Sequence, residues 1–189
     1  MFDETQKKII DATMNLVMER GYSSTTTKDI AQRAGINECT IFRKFKGKKE
    51  IVLSAMQMQE WNPGLIEDQF TYVGDLEQDL ISFAEIYMEK VTPRMVKVSL
   101  GLRTPELYPY TAEGILKVPQ TFKKVLIHYF NEMKEIIVGT EYESMAMMFL
   151  SMSFGFVFLD ASFGRKLTAL EKKEYINNSV RIFVKGITE

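Results

Sequence analysis

The chain has one cysteine, Cys39, and one histidine, His128, in 189 residues. One cysteine cannot close an internal disulfide, which fits a reducing cytoplasm. One cysteine with one histidine cannot supply a transition-metal site of the usual ligand spacing, so neither a metal nor a cofactor is expected. The sequence contains no G-x-S-x-G, H-E-x-x-H, P-loop or G-x-G-x-x-G pattern. That argues against the common nucleophile, zinc and nucleotide chemistries, although carboxylates alone can catalyse. The opening MFDETQKKII lacks the apolar core of a signal peptide. The longest apolar stretch, Met145–Leu159, is broken by Ser151 and Ser153. It falls short of the roughly twenty residues that a membrane span needs, so a buried helix is expected rather than a membrane protein. There is no internal repeat and no low-complexity segment.

What is present is an ordinary globular composition, 46% hydrophobic and 26% charged, with charge unevenly placed. Residues 1–50 carry ten lysines and arginines against seven acids, and the remainder fourteen against eighteen. The excess of positive charge lies where the most informative stretch lies, Thr25–Lys49. Thr26, with Asp29 three residues on, caps a helix expected over Lys28–Ala34. Gly35 supplies the left-handed residue at which a helix stops. Asn37 caps a second helix, Glu38–Lys46. Ile30, Ala31, Ala34, Ile36, Ile41 and Phe45 form the buried seam of a helix-turn-helix.

At about 100° per residue, Ile41 and Phe45 share one face of the second helix. Cys39, Thr40 and Arg43 fall on the opposite face, with Lys44 on its flank. From Cys39 to Lys49 there are five basic residues and no acid. A helix entering the major groove needs this layout: a small residue for close approach, groups for phosphate, and a guanidinium that can fork onto guanine. Such a run alone is more often a solvated face. The glycine turn, the two caps and the seam together favour sequence-specific DNA binding.

GYSSTTTKDIAQRAGINECTIFRKFKGKKEIV, residues 21–52, resembles the N-terminal signature of the TetR family of one-component bacterial regulators. Phe42 stands where that family usually has tyrosine, and Lys44 where it has histidine or tyrosine. The resemblance implies a three-helix DNA-binding domain over 1–47 and a helical ligand-binding and dimerisation domain over 48–189. It implies DNA contacts from Thr27, Lys28, Asn37, Cys39 and Thr40, and from Phe42, Arg43, Lys44 and Lys48. Lys48 opens a helix whose N-terminus would face phosphate and whose tilt would move the recognition helix. Cys39 admits two readings, a small side chain at the DNA and a redox-modifiable thiol.

Everything else reads as helix, so the fold class is all-α. The first helix runs from Asp3 or Glu4 to about Arg20 and buries Ile9, Ala12, Thr13, Leu16 and Val17, with Tyr22 plugging the small core. A fourth helix from Lys48 is expected to reach Met56 or Trp61 before Pro63–Gly64 breaks it. Apolar stripes mark helices over Asp75–Val91 and, opened by Pro119 and closed by Gly139, over Phe122–Ile137. Thr92–Pro93 opens a short helix between them, and Tyr108–Tyr110 reads as loop. Thr140 with Glu143, and Thr168 with Glu171, read as capping boxes for the last two helices. The helix from about Glu141 to Phe163 is apolar on nearly every side and must be covered on every side. In TetR-like proteins the last two helices pair across a two-fold axis, so this pair is the expected dimer interface.

Twelve methionines and thirteen phenylalanines give the interior a deformable apolar character that suits irregular hydrophobic ligands or simply fills a core. The expected lining set is Phe83, Tyr87, Phe122, Leu126 and Tyr129. Arg94 or Arg103 could meet an acidic head group, or form surface ion pairs. His128 lies off the stripe of its helix and reads as a surface residue. The expectation is a cytoplasmic, non-enzymatic, homodimeric regulator, repression being its expected sign. It binds a pseudo-palindromic double-stranded operator and is released by a small, largely apolar effector. The competing reading is an all-α enzyme or small-molecule carrier with a vestigial helix-turn-helix.

Overall fold

The computed structural model describes residues 2–62, 64 and 67–189. Among these there are nine α-helices and no strand. They are α1 (Glu4–Arg20), α2 (Thr27–Ala34), α3 (Glu38–Lys44), α4 (Lys48–Ala55), α5 (Leu76–Lys90), α6 (Pro93–Gly101), α7 (Tyr108–Glu132), α8 (Tyr142–Phe163) and α9 (Lys172–Thr188). Packing groups the chain into two compact units. Unit 1 is Met1–Pro63 with Arg94–Ile115, and unit 2 is Gly64–Pro93 with Leu116–Glu189. This grouping cuts the chain elsewhere than after residue 47, because α4, most of α6 and the start of α7 pack with the helix-turn-helix.

Unit 1 is built on α1. Asp3 accepts from the Gln6 N–H while the Gln6 side chain accepts from the Asp3 N–H, a reciprocal cap that starts the helix. Ile9, Ile10, Met14 and Val17 of α1 meet Ile30, Ile41, Ile51 and Val52 in one core, with Tyr22 and Trp61 also inside it. The expected seam is present: Ile30, Ala31, Ile41 and Phe45 are buried, and Ala34 and Ile36 are half-buried. At Gly101, a Cβ would lie 2.8 Å from Val17 Cγ1 and 3.1 Å from the Val17 carbonyl oxygen. The end of α6 therefore rests on α1 at a distance that only glycine allows. Trp61 is not in α4, which stops at Ala55; it sits in the turns that follow, and its indole N–H donates to Asp11 at 3.1 Å. Of the expected helix break at Pro63–Gly64, Pro63 lies outside the described residues.

Unit 2 contains α5, the later part of α7, α8 and α9. The α5 and α9 stripes are buried as expected, and so is Asp79, whose carboxylate accepts from the Val73 and Gly74 N–H groups and from the Tyr129 hydroxyl, at 2.8–2.9 Å. These three donors satisfy the buried carboxylate and hold the chain entering α5.

Several local expectations are corrected. Tyr108–Tyr110 is the first turn of α7, not a loop, and Pro119 lies inside α7 rather than opening it. The helix ends at Glu132, so Met133–Gly139 is a run of turns that still buries Met133 and Ile137 but exposes Ile136. Neither late capping box forms. Glu141 caps α8 without a side-chain bond, and Glu143 pairs with Lys123 at 2.7 Å. Likewise Glu171 pairs with Arg165 at 2.7 Å, and the Thr168 hydroxyl accepts from the Leu170 N–H. The helix there starts at Lys172, not at Thr168.

Candidate nucleic-acid interface

The helix-turn-helix is assembled by short-range caps. The Thr26 hydroxyl accepts from the Asp29 N–H at 3.2 Å, and Asp29 accepts from the Thr26 N–H at 3.1 Å. Gly35 sits in the left-handed region at φ 67°, and beyond it the Ile36 N–H reaches back to the Ala31 carbonyl at 3.0 Å. That turn places Asn37 where its side chain accepts from the Cys39 N–H at 2.9 Å and starts α3. Ile41 and Phe45 then anchor α3 inward. Its outward side presents Cys39, Phe42 and Arg43, with Lys46 just beyond, all exposed. Phe42 is 56% exposed.

Ion pairs lock this surface to α1. Arg33 grips Glu19 through both guanidinium nitrogens at 2.8 Å, and Arg20 reaches Asp29 at 2.6 Å. The Thr26 hydroxyl and N–H, more than Arg20, hold the Asp29 carboxyl below the ordinary aspartate value. Arg33 does the same for Glu19.

The expected contact residues divide by how committed they already are. Lys28 and Arg43 form no ion pair among the described residues, and neither does Lys46, which is not in the expected set. Asn37 and Cys39 are exposed and Thr40 is half-buried, while the Thr27 hydroxyl donates to Glu38 at 2.6 Å. Lys44 is turned away to Asp3 at 2.7 Å, and this bond is the main reason the Asp3 carboxyl lies below its usual value. Lys48 is the clearest revision. Its ammonium does not stand free for phosphate but donates to the carbonyls of Tyr22 and Thr25, each at 2.7 Å, and lies 3.9 Å over the Tyr22 ring. Burial pulls its pKa below the ordinary lysine value. Two residues missed by sequence reading, Asp3 as the partner of Lys44 and Glu106 as the partner of the Tyr22 hydroxyl, are far away along the chain, and no spacing rule connects them.

In unit 2 the expected ligand set does come together. Phe83 meets Tyr129 edge-on at 5.0 Å, Tyr87 stacks on Phe122 at 4.4 Å, and Leu126 is fully buried beside them in sequence register. Two clefts of unit 2 lie elsewhere. One, between α8 and α9, is lined by Met148, Met152, Ile182 and Phe183; the other lies at the α8–α9 connection around Phe156 and Leu170. Arg94, in unit 1, pairs with Glu60 at 3.9 Å and covers the Trp61 ring at 4.0 Å, whereas Arg103 is exposed. His128 is exposed, as expected.

One open face of unit 2 is apolar. α8 is long and apolar enough to cross a membrane, with mean hydropathy 1.6 over its best window, yet one side is packed through Phe149, Leu150 and Val157. Its other side exposes Met147, Met148, Phe154, Leu159 and Phe163, and α9 adds Ile182.

Comparison with known proteins agrees with this arrangement. Residues 9–55 match the model for bacterial regulatory proteins of the tetR family. The chain is 33% identical over 187 residues to the HTH-type transcriptional regulator YvkB of Bacillus subtilis (strain 168), with 97% of each chain covered. It is 26% identical over 189 residues to IcaR, the HTH-type negative transcriptional regulator of the biofilm operon icaADBC in Staphylococcus aureus, covering 94% of this chain and 98% of IcaR. Among solved structures, the regulator FadR from Bacillus subtilis in complex with stearoyl-CoA superposes with a TM-score of 0.65 at 22% identity, covering 96% of this chain and 98% of FadR.

Proposed function

Because this chain belongs to the tetR family of bacterial regulatory proteins and is a transcriptional regulator rather than an enzyme, we propose that it is a cytoplasmic homodimeric repressor. In this reading it binds a pseudo-palindromic operator and releases it on binding a small, largely apolar effector. Residues 1–47, with the parts of α4, α6 and α7 that pack on them, serve DNA recognition, and the rest of residues 48–189 serves effector binding and dimerisation. The observation that carries the reading is the outward side of α3, where Arg43 and Lys46 are uncommitted and Phe42 and Cys39 are uncovered. A side chain that forks, an apolar ring and a small residue together suit base edges in a major groove, while Lys28, Asn37 and Thr40 suit phosphate and Thr27 reaches it only by leaving Glu38. Lys44 reaches phosphate only by leaving Asp3, and Lys48 acts by shaping the motif from within.

Two copies are required because one seven-residue helix reads too few bases for an operator, and the uncovered apolar side of α8 and α9 supports an isologous pairing. Repression is supported by the likeness to IcaR, a negative regulator. An apolar effector is supported by the aromatic interior of unit 2 and by the acyl-CoA bound in FadR, which shares the fold. Release requires the effector to bind one conformation better than the other, and that difference in affinity is the whole driving force.

Selection of bound sequences from a random duplex library, with affinities measured at two salt concentrations, tests this. The expected result is a pseudo-palindrome with half-sites about one helical turn or more apart, bound with a steep salt dependence and a preserved gap over random DNA. Folded, effector-free protein that enriches no sequence refutes it.

A further inference from the structure

The turn between α6 and α7 touches the helix-turn-helix through one carboxylate. Glu106 accepts the Tyr22 hydroxyl at 2.7 Å, and Tyr22 is 2% exposed. The Lys48 ammonium lies over that ring at 3.9 Å and donates to the carbonyls of Tyr22 and Thr25. Tyr22–Thr25 is the turn that delivers α2, and Lys48 is the first residue after the segment that carries α3. One ammonium therefore joins both ends of the recognition motif. Burial disfavours its charge, and Glu106 is the carboxylate that offsets this. The turn holding Glu106 is itself seated: Gly101 rests on Val17 of α1 with no room for a methyl group, and Leu102 and Leu107 are fully buried.

We infer that Glu106 is a positioning residue for DNA recognition: through Tyr22 and Lys48 it fixes the two ends of the helix-turn-helix, and any change in the α6–α7 turn that withdraws its carboxylate loosens the recognition helix. The Glu106 side chain is itself exposed, while its bond to the Tyr22 hydroxyl is half-buried, so melting temperature is followed to separate lost folding from lost positioning. Its charge has the wrong sign for attracting phosphate. What it supplies to binding is geometry. Glu106 stands two residues before α7, so a shift of the first turn of that helix moves the carboxylate directly.

The inference rests on the DNA-binding reading, and the test separates the two. Full-length Glu106→Ala, Glu106→Gln, Tyr22→Phe and the Tyr22→Phe/Glu106→Ala double variant are compared with the wild type on the selected operator and on a random duplex of equal length. Melting temperature and amide hydrogen exchange over residues 26–47 are measured alongside. Glu106→Ala is expected to lose about tenfold on the operator, the scale of a hydrogen bond to a charged group. On random DNA it should hold or tighten, since removing an acid favours phosphate. Glu106→Gln, whose amide oxygen still accepts from Tyr22 but carries no charge toward Lys48, should recover most of the operator binding, and the double variant should lose less than the two single losses combined. Unchanged or tighter operator binding by Glu106→Ala, or equal loss on both duplexes, overturns the inference. If the wild type selects no operator, the DNA reading has failed and exchange decides the positioning. Faster exchange over 26–47 in Glu106→Ala but not in Glu106→Gln upholds it, and unchanged exchange overturns it.

Discussion

Replacing Ile182 by glutamate tests the homodimer with the least disturbance to the subunit. Ile182 is 70% exposed and Met148, beside it in the α8–α9 cleft, is 62% exposed. In an isolated chain a substitution at such a site changes stability by no more than about 0.5 kcal/mol. In a two-fold dimer the same change acts twice. Covering the exposed part of one isoleucine is worth about 1–2 kcal/mol, so two copies forfeit about 2–4 kcal/mol, and each buried unpaired carboxylate adds its desolvation. The sum is at least about 4 kcal/mol, or roughly a thousandfold weaker dimerisation. Sedimentation velocity over a concentration series measures it, with His128→Ala, an exposed position on α7, as the control. The expected outcome is a folded monomer with unchanged melting at low concentration and no cooperative operator binding. A wild-type chain that is monomeric at micromolar concentration, or an Ile182→Glu variant with unaltered dimerisation, refutes the argument.

Arg43→Ala should weaken operator binding by about 1–3 kcal/mol and relax preference at one base position, read from a second library selection; equal loss on operator and random DNA would make Arg43 a phosphate contact only. Gly35→Ala forces a Cβ into a left-handed residue that has open space around it, so the cost is backbone strain alone, about 1–2 kcal/mol. Gly35→Asn should cost less, and equal melting temperatures for the two variants would contradict the strain account. Asp3, Glu19 and Asp29 all have carboxyls held below their ordinary values in the folded chain. Their stabilisation is therefore fully present above about pH 5 and is lost as pH falls through the lower folded values, so melting temperature should drop across that acidic range and Lys44→Met should reduce the drop. A melting temperature that stays level down to about pH 3, well into the range where these carboxyls would protonate, would contradict it.

Unit 1 was legible because its signals are short-range. Asp3, Thr26, Gly35 and Asn37 act on backbone groups within a few residues, and the seam from Ile30 to Phe45 follows helical spacing. The late capping boxes failed for the opposite reason. Glu143 and Glu171 have the right spacing, but Lys123 and Arg165 engage them first. The same limit applies to the interface. Reading the face of α3 identifies Arg43 as outward, but it cannot show that Lys44 is taken by Asp3 or that Lys48 is turned onto Tyr22. Those partners are 41 and 26 residues away and obey no period. Proline misled in a third way. Pro119 looks like a helix start because its ring suits a first turn, yet the helix around it is already held by Phe122, Leu126 and Tyr129 on one side and Leu107 and Thr111 on the other.

That proline also has a mechanical consequence. Lacking an N–H, Pro119 gives nothing to the carbonyl four residues earlier, which is that of Ile115, the last residue of unit 1. The ladder of α7 thus has a rung missing where the chain passes into unit 2. A helix is least stiff where its ladder is broken, so any curvature α7 takes up gathers at that rung rather than spreading along its 25 residues.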